Sequence, residues 1–402
     1  MSVLPSDTTA GYLQRTMAEP KRVCVTGIGA VSAFGRTAGE LWAGLQAGAS
    51  AVAPIAAFDA TGLGCGIAAE ARGYAAREDI DPEAAAAMDR RQLFAADAAI
   101  QALIEAAVPI TAETVTQIGV AVGTEMPEGS VATAAYVART TSAAGPVLHV
   151  SNGAAGGLTA IGEAAEWIRR EECSIAVAGG AEAPITTEGV RHFDALGMLT
   201  RNNADPAHAV RPYDAARDGF ALGEGAAMVV LEDEEQAVRR GAHIFAYVDG
   251  YGATFSRSPV AHPAANAIDA GRAMQAALMK WDLTLQGEIG VIFGTGGGGA
   301  LDAIEGQAIR RVWGPNADKL WVTSIKGTIG HTLGASGAFS LVAAVYCLQS
   351  GLMPPTANLE RQDPACGDLE IVTGEVRRFH GTKAMVNAFG LGHNASVVVS
   401  RP

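Results

Sequence analysis

Leu148-His149-Val150-Ser151-Asn152-Gly153-Ala154-Ala155-Gly156-Gly157-Leu158 runs from a short apolar strand through a Gly/Ala turn into a helix that continues to residue 170. This strand–turn–helix unit sets the pattern for the chain. Upstream, residues 22–26 read as a strand closed by a Gly27-Ile28-Gly29 turn. Residues 89–107 carry apolar side chains at helical spacing, and 117–123 read as a strand. Downstream, 174–178 form a strand ending in Gly179-Gly180, and 226–231 form a strand ending in the acidic cluster 232–235, read as a solvated helix start. A second set begins near Arg239, with strands at 244–248, 289–293 and 320–324 and helices at 267–279, 303–313 and 337–348. Strands 384–387 and 395–400 close the chain around the loop 388–394. Two successive sets of similar size predict two α/β halves with covered, largely parallel sheets. The predicted boundaries are a tail over 1–20, a first half over 21–238 and a second half over 239–402. No period of 20–50 residues points to a solenoid.

Composition agrees. Of 402 residues, 49% are hydrophobic and 18% charged, which is globular rather than disordered. The 49 glycines exceed what a helix bundle needs and suit tight strand-to-helix turns. A net charge of −13 argues against non-specific binding to nucleic acid or to an anionic membrane. Cys24, Cys65, Cys173, Cys347 and Cys366 are widely spaced, with no CxxC pair. They read as buried, reduced thiols of a cytoplasmic protein and give no metal framework. His192, His208, His243, His262 and His380 show no metal spacing either. No apolar run reads as long enough to span a membrane, and residues 1–20 carry no basic-then-apolar signal pattern.

Five segments in order then carry a resemblance. They are Val25-Thr-Gly-Ile-Gly-Ala-Val31, Ala178-Gly-Gly-Ala-Glu-Ala-Pro184, residues 211–225 (Arg-Pro-Tyr-Asp…Arg-Asp-Gly-Phe…Gly-Glu-Gly), Ser324-Ile-Lys-Gly-Thr-Ile-Gly-His331 and Asn387-Ala-Phe-Gly-Leu-Gly-His-Asn394. Together they resemble the β-ketoacyl synthase family from about residue 21 to the end of the chain. The resemblance implies a thiolase-type fold, two pseudo-duplicated halves in a layered αβαβα arrangement, and a tight dimer formed through strand pairing. It also implies decarboxylative condensation of acyl carrier protein thioesters. That chemistry needs a cysteine at a helix N-terminus, two histidines, and two backbone N–H groups as an oxyanion hole.

The chain departs from that set. Asn152-Gly-Ala-Ala-Gly-Gly157 stands where the family has its cysteine elbow, so Ala154 takes the nucleophile position, and a methyl group cannot carry an acyl chain. Phe293-Gly-Thr-Gly-Gly-Gly298 stands at the first histidine motif, so Phe293 replaces a hydrogen-bonding side chain. His331 and Lys326 remain, but Ser340 stands where the glutamate partner of that lysine is expected. Both residues read as structural in such a site. Leu391 replaces the usual phenylalanine of a C-terminal loop that is one glycine short. The stretch from Gly123 to Ala154 is shorter than in the family and holds Glu125 and Glu128 where glycines are usual. The glycines at 294–299 lack the Gly-Lys-Ser/Thr ending of a phosphate cradle, which argues against a nucleotide. The backbone N–H groups of 152–157 remain a candidate anion site.

Loss of the cysteine and of one histidine, with Gly156-Gly157-Leu158 after the elbow, is similar in character to the chain length factor, the ketosynthase β subunit of type II polyketide synthases. This resemblance implies a subunit that pairs with a catalytic ketosynthase and shapes its acyl tunnel. The remnant site is Ala154, Phe293, Lys326, His331 and Leu391. The candidate tunnel and interface residues are Glu125, Met126, Glu128 and His149. No cofactor is expected beyond the acyl chain on the phosphopantetheine of a partner acyl carrier protein. The alternatives are a malonyl-carrier protein decarboxylase that supplies a primer, and a regulatory or scaffold homodimer.

Overall fold

Gly27 and Gly29 do not make a turn: the first strand runs straight through them. A Cβ on either residue would lie about 2 Å from a carbonyl oxygen of a helix packed across it, at Ala102 and Ala98. The glycines let that helix approach the sheet closely, and the strand continues to Val31. The structure, a computed structural model, describes residues 21–127, 132–256, 267–279 and 285–402. The tail read over 1–20, together with Glu128 and His262, lies outside the described residues.

The first half contains β1 (Val23–Val31), α1 (Arg90–Ala106), β2 (Ile118–Thr124), α2 (Thr133–Thr140), β3 (Val147–Ser151), α3 (Gly156–Arg169), β4 (Ile175–Glu182) and β5 (Gly225–Asp233). The second contains β6 (Ala246–Phe255), α4 (Ala267–Met279), β7 (Ile289–Phe293), α5 (Leu301–Trp313), β8 (Trp321–Thr323), α6 (Ser336–Ser350), β9 (Glu370–Ile371), β10 (Lys383–Gly390) and β11 (His393–Ser400). The strands form one sheet in the order β9-β8-β7-β10-β11-β6-β1-β5-β4-β2-β3. Within it, β3-β2-β4-β5-β1 and β8-β7-β10-β11-β6 repeat the same connectivity. In each run the first two pairings are parallel and the last two antiparallel. A short antiparallel contact, Cys24 with Tyr247 and Val25 with Ala246, joins the two runs. The sheet is therefore mixed rather than largely parallel. One reason is local: β10 and β11 are joined by the two residues Leu391 and Gly392, at φ 49° and 86°. That is a tight hairpin turn, which forces antiparallel pairing.

Three apolar layers give the αβαβα order. One packs α1 and α2 on the first half-sheet, one packs α4 and α5 on the second, and the largest surrounds α3 and α6 between them. The central helices cross on small residues. A Cβ on Gly337 would lie 2.6 Å from Leu158 Cβ, and one on Gly157 would lie 2.8 Å from the Gly334 carbonyl oxygen. Glycine here trades helix propensity for close contact between two buried helices. Gly179-Gly180 likewise continues β4 instead of ending it, because side chains there would strike the Ala227 and Gly334 carbonyls.

Two further expectations are corrected. Glu232 and Asp233 are not solvated: they are 0% and 4% exposed. Thr26 Oγ1 and the Arg240 guanidinium donate to Glu232, and Lys21 pairs with Asp233 at 2.9 Å. The strand is buried on both faces, so its last carboxylate must be paired in place. Leu333–Ser350 is, by length and composition, an 18-residue stretch capable of crossing a membrane. It is instead 83% buried between the two half-sheets. All five cysteines are buried, and desolvation pushes the thiols of Cys24, Cys347 and Cys366 up to about 12.

Candidate functional site

The two central helices begin alike. Each follows a residue with left-handed backbone, Gly153 at φ 64° and Leu333 at φ 43°, and then a short 3₁₀ turn, Gly153–Ala155 or Leu333–Ala335. No side chain caps either start, whereas Thr37, Asp89, Thr186 and Asp233 cap peripheral helices. The macrodipole of α3 therefore reaches the site without a side-chain cap, whereas the turn that opens α6 has one side-chain acceptor, His331 Nδ1, at the Leu333 N–H. Gly153 is needed for its φ and for space, because a Cβ would lie 3.0 Å from the Gly390 carbonyl oxygen. The β10–β11 turn thus abuts the start of α3.

A cavity of about 460 Å³ opens at these two starts. Ala154, His331, Leu391 and Glu125 line it, so the structure brings four of the sequence-predicted residues together. Apolar walls come from Phe193, Leu196, Met198, Phe220, Leu333 and Phe389. Phe293 is not on the cavity surface. It is 1% exposed and packed in the central core, while Thr295, two residues on, reaches the wall. Met126 packs on the apolar cluster around Phe193 and Phe220, and His149 Nε2 lies 2.8 Å from Thr124 Oγ1; neither lines the cavity. No thiol lines it among the described residues.

His331 Nδ1 accepts the Leu333 N–H at 3.0 Å and lies 3.3 Å from Ser336 Oγ. The proton of the neutral ring therefore sits on Nε2. Burial holds the imidazole well below its ordinary pKa, and nearby Lys326 adds to this. Lys326 is fully buried, and burial lowers its ammonium to about 8 despite the carboxylates of Glu305 and Asp302. Its Nζ donates to the Thr295 carbonyl. The carboxylate charges that act on the lysine are those of Glu305 and Asp302, on α5, rather than one on α6, where Ser340 stands. Asp302 and Glu305, one turn apart directly after the glycine run, were the missed signal.

Those two carboxylates also explain the glycine run. Thr295 and Gly296 N–H groups donate to Glu305, and Gly297 and Gly298 N–H groups donate to Asp302, at 2.8–3.0 Å. Tyr213 OH and Asn387 Nδ2 complete Glu305, and the Tyr213 N–H completes Asp302. The loop is an anion cradle already filled by the protein's own side chains, which leaves no place for a phosphate. The remaining cavity carboxylates are also engaged. Asp218 accepts from Thr200 Oγ1 and the Arg201 N–H, and Asp363 pairs with Arg217.

Glu125 differs. Its N–H and that of Met126 donate to Glu182 Oε1. Its own Oε2 is sealed from solvent and has no hydrogen-bond partner among the described residues. Burial, and secondarily the Glu182 charge, pushes its carboxyl up to about 8. No group of three or more His, Cys, Asp or Glu residues forms a metal site among the described residues.

Residues 20–237 match the family described as beta-ketoacyl synthase, N-terminal domain, and residues 245–360 match its C-terminal domain. The chain is 33% identical to the 3-oxoacyl-[acyl-carrier-protein] synthase 2 of Synechocystis sp., over 95% of this chain and 99% of that one. It is 34% identical to the granaticin polyketide putative beta-ketoacyl synthase 1 of Streptomyces violaceoruber, over 95% and 99%. Among solved structures, the ishigamide ketosynthase/chain length factor is similar at a TM-score of 0.85 and 27% identity, covering 95% of this chain and 100% of that one.

Proposed function

The chain belongs to the β-ketoacyl synthase family, and on that premise we propose that it is a non-catalytic partner subunit of the chain length factor type. In this reading it pairs with a cysteine-bearing ketosynthase and shapes that enzyme's acyl tunnel during type II polyketide or polyene synthesis. The observation that carries the reading is Ala154. It stands at the uncapped start of α3, on the cavity wall, where the dipole and backbone N–H groups would favour a thiolate, and it offers a methyl group.

Pairing is supported at the sheet edge. Among the described residues β3 is bonded on one side only, and Val147 at its start is 49% exposed. An unpaired strand edge is a template for a second chain. A heterodimer covers that edge and lets one set of catalytic groups serve two subunits. The acyl carrier protein is reached through the complex.

Co-expression with a Cys-containing ketosynthase of the same type tests the reading. The expected outcome is a 1:1 complex whose product lengths change when this chain is exchanged or omitted. A chain that purifies only with itself, and leaves ketosynthase products unchanged, contradicts it.

A further inference from the structure

Sheet edges in water are ordinarily blunted by a charge or a proline within the strand. Among the described residues β3 is an edge, and Val147-Leu148-His149-Val150-Ser151 holds neither a fixed charge nor a proline. Gly145 and Pro146 stand before the strand, not in it. Its one ionisable side chain is His149, the middle residue. Leu148 and Val150 pack on the central layer, so alternation turns Val147, His149 and Ser151 to the α2 face. Val147 and Ser151 are exposed, and His149 is half-buried. The edge is therefore uncharged while the imidazole is neutral and charged at its centre when the imidazole takes a proton. Histidine is the side chain that makes this change between pH 5 and 8.

We propose that β3 accepts the edge strand of a cysteine-bearing ketosynthase only while His149 is neutral, so that one proton gates the pairing of the two subunits. The partner rests on the functional reading above; the gate rests on the edge strand of this chain. A paired strand lies about 4.8 Å away, with its facing side chain about 5 Å from that of His149. It strips water from the imidazole and so disfavours the charged form.

Among the described residues, the elements packed on β3, which are β2, α2 and α3, bring no carboxylate to that face. β2 sets Val122 opposite His149 and turns Ile118, Val120, Val122 and Thr124 to it, none of them charged. Thr124 Oγ1, 2.8 Å from Nε2, is a neutral partner. α2 carries one charged residue, Arg139, over the Tyr136 ring, and that charge opposes a second cation. α3 carries Glu163, Glu166 and Arg169, but it packs on the central face with Leu148 and Val150. A second copy of this chain is the poorer occupant of the edge. A two-fold axis repeats every contact, and with all five residues paired antiparallel it sets His149 opposite His149. Two rings must then be neutral at once, because like charges directly opposite destabilise a strand pair.

The test is the dissociation constant of the full chain with its co-expressed ketosynthase, measured by analytical ultracentrifugation from pH 7.5 down to pH 5.5. Pairing is expected to weaken by about tenfold over that range, the loss that one histidine proton imposes. His149→Gln keeps a polar side chain that cannot take the charge. It should pair as wild type at pH 7.5 and lose less than about threefold by pH 5.5, which separates the gate from acid effects elsewhere. His149→Lys carries a fixed charge and should pair about tenfold more weakly at pH 7.5. Pairing of this chain only with itself, with a loss of about a hundredfold because two protons are involved, would put a second copy on the edge and overturn the proposal. So would wild-type pairing that is flat with pH, a His149→Gln variant that weakens in step with wild type, or a His149→Lys variant that pairs as tightly. A complex that forms without this pH dependence sinks the gate and leaves the functional reading standing. No complex at any pH, with wild type or either variant, sinks the functional reading itself.

Discussion

The starts of α3 and α6 occupy matching places in the two halves, and they have been put to different uses. Ala154 and Gly334 are each the middle residue of the 3₁₀ turn that leads into a central helix. Ala154 is 3% exposed and lines the cavity. Gly334 is jammed: a Cβ there would lie 2.4 Å from the Thr124 carbonyl carbon and 2.6 Å from the Glu125 nitrogen. Around α6 the polar groups are wired to one another, from His331 through Leu333 and Ser336, and from Lys326 through Thr295 to Glu305. Around α3, among the described residues, no comparable side-chain network faces the cavity. The difference teaches that a polar group wired into the fold, as around α6, is costly to replace, whereas the side chain at position 154 is bound by no hydrogen bond to its surroundings.

The comparison breaks most visibly at Phe293. If that side chain is now core, Phe293→His places a polar ring among apolar neighbours and removes packing. It should cost about 3–5 kcal/mol in a denaturant melt. A near-neutral result would show that the site still accepts a histidine. Gly334→Ala comes next, at about 1–3 kcal/mol, because the contacts are backbone atoms that cannot swing aside.

Glu125 sharpens the comparison through pH. Its folded pKa, about 8, lies above the ordinary 4.5. Below pH 4.5 both states hold the proton and the group contributes nothing. Between 4.5 and 8 the unfolded chain releases the proton while the native state keeps it, so stability falls as pH rises, and the loss is complete above 8. Glu125→Gln should therefore raise the melting temperature over wild type more at pH 8.5 than at pH 5. An equal gain at both would remove the carboxyl from the cavity. The smallest effect is expected at Ala154→Ser. Because Ala154 lines the cavity, stability should change by no more than about 0.5 kcal/mol, against the larger penalty at its partner position Gly334.

Much of this was legible in the sequence. Alternating strand and helix patterns and five motifs in order specify the layered fold, because hydrophobic periodicity and glycine spacing are local signals. Ala154, His331 and Leu391, read as parts of one remnant site, line one cavity, and Glu125, read apart from them at the tunnel or interface, lines it too. Other features needed three dimensions. Gly27 and Gly179 look like turn residues but are places where another backbone lies close. Glu232 looks solvated but is paired with Arg240 and Thr26 across the fold. Phe293 reads as the replacement of a site histidine, yet its orientation depends on the packing of β7 between β8 and β10. Asp302 and Glu305 were passed over because their partners, the amides of the glycine run, carry no side-chain signal.

The claim that turnover happens on another chain is tested most directly by intact-mass measurement. The purified protein is incubated with an acyl carrier protein thioester and its mass recorded before and after hydroxylamine. The account predicts an unchanged mass, since the described cysteines are buried and position 154 carries no sulfur. A stoichiometric acyl adduct, released by hydroxylamine, would contradict it.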